Sequence, residues 1–144
     1  MKQSILFLFL LFVPFLSWVS TAAAQGQYLP AAELTRILSD RTFIMTYSEE
    51  KQKNNHVYFA QDGRYTILFP PGNIRSTDKW NTDENDNLCL RHARRSGGST
   101  NYITRCGKVS LAGANALILY NDKGEQINTL QFLGNGNLLE QFAK

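Results

Sequence analysis

Residue types that most often carry enzyme and metal chemistry are scarce here. The 144-residue chain has two histidines, His56 and His92, far apart and without a companion at metal-ligand spacing, which leaves no zinc centre to expect. No Gly-x-Ser-x-Gly elbow is present, and no glycine-rich loop that would cradle a phosphate. No strong excess of one charge is present either. The formal net charge is +3, of which Lys2 supplies one unit, whereas a nucleic-acid binder shows a larger basic excess gathered on one face. Beyond residue 24 no apolar run is long enough to span a bilayer, and the chain has no internal repeat, low-complexity tract or linker. No cofactor, metal, nucleic acid or membrane span is therefore expected of the chain beyond that point.

What is present begins with the first residues. Lys2 precedes the apolar run Ile5 to Val13, and Thr21-Ala22-Ala23-Ala24-Gln25 puts small residues at the minus-three and minus-one positions of a cut after Ala24. A positive start, a short apolar stretch broken by Pro14 and a small-residue cleavage site read as a secretory leader over 1–24. The remaining residues, 25–144, suffice for one domain with one core. The expected location is periplasmic or secreted.

In an oxidising compartment two cysteines read as one intramolecular disulfide, Cys89–Cys106. Closing so short a loop restricts the unfolded chain by roughly 3 kcal/mol. Leu88-Cys89-Leu90 and Ile103-Thr104-Arg105-Cys106 are expected to pair as neighbouring strands around a polar loop at Ala93 to Thr100.

Pro30 to Ser39 predicts one short helix, because Leu34, Ile37 and Leu38 form a single stripe and proline suits a first helical turn. From Arg41 the pattern changes to short β-type runs. They are Thr42–Tyr47, His56–Ala60, Arg64–Phe69, Arg75–Trp80, Leu88–His92, Asn101–Arg105, Val109–Leu111, Ala116–Tyr120 and Gln126–Leu133. Gln61-Asp62-Gly63 and Asn121-Asp122-Lys123-Gly124 mark tight turns, and Pro70-Pro71-Gly72-Asn73 ends a strand because proline cannot donate to a ladder. Short strands at this spacing predict a mainly β protein, an antiparallel barrel of about eight strands with one N-terminal helix.

The order of these features resembles small exported bacterial proteins with a lipocalin-like β-barrel and no assigned function. The likeness rests on the helix before Asp40-Arg41-Thr42, on Val57-Tyr58-Phe59-Ala60-Gln61-Asp62-Gly63, on Trp80, on Leu88-Cys89 and on Cys106-Gly107-Lys108-Val109. It covers most of residues 25–144 and implies the barrel; it brings no catalytic residues.

Two surfaces are candidates for function. Aromatic side chains are numerous, and in a barrel some can line an interior pocket, so Tyr58, Tyr65 and Trp80 are the expected contacts of a small apolar ligand. Alternatively Arg91-His92-Ala93-Arg94-Arg95 forms a basic loop whose Arg91, Arg94 and Arg95 would grip carboxylates of an envelope protein partner, joined by Arg75, Lys79 and Arg105 if the strands align. Other readings are weaker. Asp83, Asn85 and Asn87 alternate as calcium ligands do, but Leu88 and Arg94 stand where the calcium loop needs glycine and a carboxylate. His92 precedes Cys106 as in cysteine transpeptidases, yet Arg105 replaces the glycine that precedes their nucleophile, and Glu49-Glu50 lie in a polar turn. The expectation is binding, not catalysis.

Overall fold

The computed structural model describes residues 27–48, 54–72 and 74–143, with residues 95 and 96 described by backbone alone. The leader and the Glu49-Glu50 pair lie outside the described residues. Helix α1 runs Ala31–Leu38 and buries Leu34 and Leu38 completely. Pro30 cannot cap it with a side chain, so the Ala31 N–H is satisfied from elsewhere, donating to Asp86 Oδ1 at 2.7 Å. That carboxylate also sits at the positive end of the helix. Asp40 then takes a left-handed φ of 56° and donates its N–H to the Phe59 carbonyl at 2.8 Å, turning the chain into the sheet.

The nine predicted β-type runs all form strands: β1 Arg41–Tyr47, β2 Asn54–Phe59, β3 Arg64–Phe69, β4 Ile74–Thr82, β5 Leu88–Ser96, β6 Ser99–Gly107, β7 Val109–Leu111, β8 Ala116–Tyr120 and β9 Gln126–Asn135. They make one antiparallel sheet in the order β6-β5-β4-β3-β2-β1-β9-β8-β7. Alternation sets the buried face: Phe43 and Met45 on β1, Val57 and Phe59 on β2, Tyr65 and Ile67 on β3, Leu117 and Leu119 on β8. Together with Trp80, Leu88, Leu90, Leu130 and the helix leucines they form one core. Phe59 is its hub, edge-on to Phe43 at 5.9 Å and to Trp80 at 5.5 Å.

The Asp62-Gly63 hairpin closes as expected. Gly63 has φ 80°, its carbonyl accepts from the Trp80 N–H at 2.8 Å, and a Cβ there would lie 3.3 Å from the Trp80 carbonyl.

Two expectations differ from the structure. The sheet has nine strands where about eight were expected, and it curls into a half-barrel that stays open between β6 and β7. Only Lys108 separates those strands, too little chain for a paired hairpin, and the three-residue β7 pairs with β8. The Tyr120 N–H instead reaches the Lys108 carbonyl at 2.8 Å. The polar loop expected at Ala93 to Thr100 is also strand: β5 and β6 pair as far as Ser96 opposite Ser99. Gly97 and Gly98, at φ 57° and 83°, supply both left-handed positions of a two-residue turn.

Candidate functional site

β5 has two neighbours of unequal reach. Leu88, Cys89 and Leu90 pair with Thr82, Asn81 and Trp80 of β4, whereas the whole of β5 pairs with β6. From Arg91 outward the hairpin is therefore a two-stranded arm, about 20 Å long at strand rise. Its root is pinned by the Cys89–Cys106 disulfide, which joins residues directly opposite in the register, as expected from the sequence.

A polar network holds the arm to the body. The Asp78 carboxylate, 3% exposed, pairs with the Arg91 Nε–H, and the Arg91 guanidinium lies 4.5 Å from the centre of the Tyr102 ring. Tyr65, in register with Asp78, reaches two atoms of the arm, the Arg91 carbonyl at 2.6 Å and His92 Nδ1 at 3.0 Å. A phenol has one hydrogen, and the shorter contact to the carbonyl takes it. His92 Nδ1–H is then the donor to the phenol oxygen, which assigns the imidazole tautomer. Burial, and then the Asp78 charge, push the Tyr65 phenol far above its ordinary value, so it stays a donor. Burial, then Arg105, hold His92 below its ordinary value.

The expected basic cluster thus divides. Arg91 is committed to Asp78 and Tyr102. Arg94, in register with Asn101, and Arg105, in register with Leu90, are exposed, and neither has an ion-pair partner among the described residues. Both lie on the arm face that also carries Leu90 and His92, because residues opposite in register share a face. The backbone of Arg95 continues the strand, and its side chain lies outside the described residues. Arg75 does not join the patch; it pairs with Glu140 at 2.7 Å. Lys79 is exposed on β4 opposite Arg64.

The turn at Asp83 to Asn87 makes no ion pair with the arm among the described residues. Asp83 accepts from the backbone N–H groups of Asn85 and Asn87 and from the Asn87 side chain at 2.9–3.0 Å, contacts that hold its carboxyl below the usual range. Those bonds make Asp83 a hairpin organiser. The two sulfurs beside it are joined to each other and offer no thiolate.

The three aromatic candidates separate as well. Tyr65 and Trp80 are 2% and 5% exposed, pack against Phe59, and the Trp80 indole N–H donates to the Ala60 carbonyl at 3.0 Å. Tyr58 lies on the opposite face of β2, its hydroxyl donating to Asp40 at 2.8 Å.

Sequence reasoning missed a second feature. The C-terminal 3-10 turn Leu139–Gln141 folds back over the outer face of β2 and β3, burying Leu139 and Leu68 and stacking Phe142 on His56 at 4.0 Å. An open pocket of about 400 Å³ lies between that turn and Pro70-Pro71, lined by His56, Leu68, Phe69 and Phe142. The signal was Ile67-Leu68-Phe69, an unbroken apolar run that a sheet covered on one face does not need.

No helix among the described residues is long and apolar enough to cross a membrane. The chain matches no protein-family model and none of the curated proteins.

Proposed function

We propose that this is an exported, disulfide-pinned binding protein that takes an acidic protein partner on its β5–β6 arm. One observation carries the reading: the arm stands out from the sheet with Arg94 and Arg105 exposed on one face and no acid paired with either among the described residues. Guanidinium groups free of internal partners are suited to carboxylates, and they steer an acidic surface at long range. The rigid placement of the arm by Asp78, Tyr65 and the disulfide lowers the ordering cost of binding. The disulfide supports export into an oxidising compartment, and the curled antiparallel sheet with its helix supports kinship with exported lipocalin-like barrels.

The test is capture from the exported fraction of the source cells by the wild type and by the Arg94→Ala/Arg95→Ala/Arg105→Ala variant. A partner retained by the wild type at low salt and lost by the variant, with circular dichroism unchanged, is the expected result. Equal capture by both refutes the arm as the binding surface.

A small apolar ligand inside the half-barrel is the second reading. The unpaired β6–β7 seam favours it as a way in, while Tyr65 and Trp80 are already packed against Phe59 and would have to part. Native mass spectrometry of the protein purified without reductant tests it: an excess mass lost on denaturation supports a retained ligand, and a bare mass counts against a tight one.

A further inference from the structure

Every open sheet has two edges, and this one treats them differently. β7 is three residues long, and the N-terminal segment covers it: Tyr28 bridges to Ser110 and the Leu29 N–H donates to the Val109 carbonyl at 2.8 Å. That is how proteins ordinarily blunt an edge. β6 is nine residues long, contains no proline, and among the described residues pairs with β5 alone. Its Thr100, Tyr102, Ile103 and Thr104 are residues that favour strands, and Tyr102 is 59% exposed.

The register shows which backbone groups the edge offers. A two-residue turn closes with a hydrogen-bonded pair, here Ser96 and Ser99, and pairs then alternate along the arm. Cys89 and Cys106 fall in a non-hydrogen-bonded pair, in keeping with their Cα separation of 4.0 Å. Thr100, Tyr102 and Thr104 fall in the same class, so their N–H and C=O groups point away from β5. None of the three makes a backbone hydrogen bond elsewhere among the described residues.

We infer that β6 is a strand-addition site, and that its occupant is an extended acidic segment of the partner protein. This rests on the acidic-partner reading and gives it a geometry. Main-chain bonds to Thr100, Tyr102 and Thr104 supply affinity, and side chains of the added strand are chosen by what stands beside them. A carboxylate next to Arg105, with Arg94 on the same face, is the favoured neighbour. The same charges oppose a second copy of this chain, because edge-to-edge pairing brings the two sets of arginines together.

The probe is a synthetic peptide of alternating glutamate and valine with both ends capped, compared with its lysine–valine counterpart. The full chain is titrated with each, read by amide hydrogen exchange and fluorescence anisotropy. Expected are about tenfold slower exchange at Thr100, Tyr102 and Thr104 with the glutamate peptide, and none of this with the lysine peptide. Thr104→Pro removes an outward N–H without touching the β5 ladder and is expected to weaken peptide binding about tenfold or more, while Thr104→Ala preserves it. Thr100→Pro, nearer the turn, is the second edge-blocked variant should the first misfold.

Binding that survives both prolines but falls with Arg94→Gln/Arg105→Gln overturns strand addition and leaves the acidic-partner reading standing. Binding indifferent to those arginines, or equal for the lysine peptide, overturns both. Dimerisation of the wild type without peptide, abolished by Thr104→Pro, would assign the edge to a second copy and overturn the acidic occupant.

Discussion

The Asp78–Arg91 pair should respond unequally to loss of its two ends. The side chains are 3% and 36% exposed, respectively, so one charge is enclosed and the other keeps access to water. Asp78→Asn preserves shape and leaves Arg91 without its carboxylate. The guanidinium can turn to solvent and keeps Tyr102, so the loss falls at the low end for a charged hydrogen bond, about 1.5 kcal/mol. Arg91→Met leaves the Asp78 carboxylate buried with the Lys79 N–H, at 2.8 Å, as its remaining donor. Breaking a buried pair from that side costs about 3 kcal/mol, because the stranded charge is desolvated without compensation. The double variant should lose about 1–2 kcal/mol less than the sum of the singles, since residues in contact couple. Urea unfolding of the four proteins, extrapolated linearly to water, measures all three quantities. Equal losses from the two single variants, or losses below about 0.5 kcal/mol for both, would mark an ordinary exposed ion pair and refute the reasoning.

Replacing Cys89 and Cys106 together by Ala should lower stability by about 3 kcal/mol, from the loop entropy of their separation of 17 residues. If thermal melting of the variant matches the wild type, the denatured chain is not what the bridge constrains. Gly107→Ala should destabilise by about 3 kcal/mol or more, because its Cβ would sit 2.0 Å from the Tyr120 carbonyl oxygen, while Gly113→Ala meets no such obstacle and strains only its own left-handed backbone. Equal melting temperatures for the two would contradict the close approach of β6 to β8. Burial lowers both His56 and His92, so the unfolded chain takes up their protons first as pH falls below the ordinary value near 6.5. Stability present at neutral pH should therefore decline through pH 6.5 and level off once the folded-state values are passed. His92→Gln should flatten that slope in denaturant titrations at several pH values, and an unchanged slope would remove His92 from the linkage.

Much of this architecture could be read before any coordinates. All nine strands are legible as short β-type runs set off by turn residues, and most repeat every two residues because one face of the sheet is buried. The helix stripe Leu34, Ile37 and Leu38 at three- and four-residue spacing, the Asp62-Gly63 turn and the disulfide are legible for a similar reason: each is a local rule or, for two cysteines, a count with one answer. Only the tip of the arm reads as a loop from sequence, since the arginines and glycines of Ala93 to Gly98 have a loop's composition. Two consecutive left-handed glycines between register-paired strands made it a hairpin instead.

Which charges are free and which are committed was decided by the tertiary structure alone. Arg91, Arg94 and Arg105 are equivalent as residue types, yet Asp78, distant in sequence, engages the first and leaves the others exposed. The separation of Tyr58 from Tyr65 and Trp80 depends likewise on which face each strand turns inward, and the β6 edge, without a second partner among the described residues, depends on Lys108 being the whole of the connection to β7. A local pattern records what a residue prefers. Partners across the sheet, and the edges left without one, exist only once the chain has closed distances that no sequence spacing encodes.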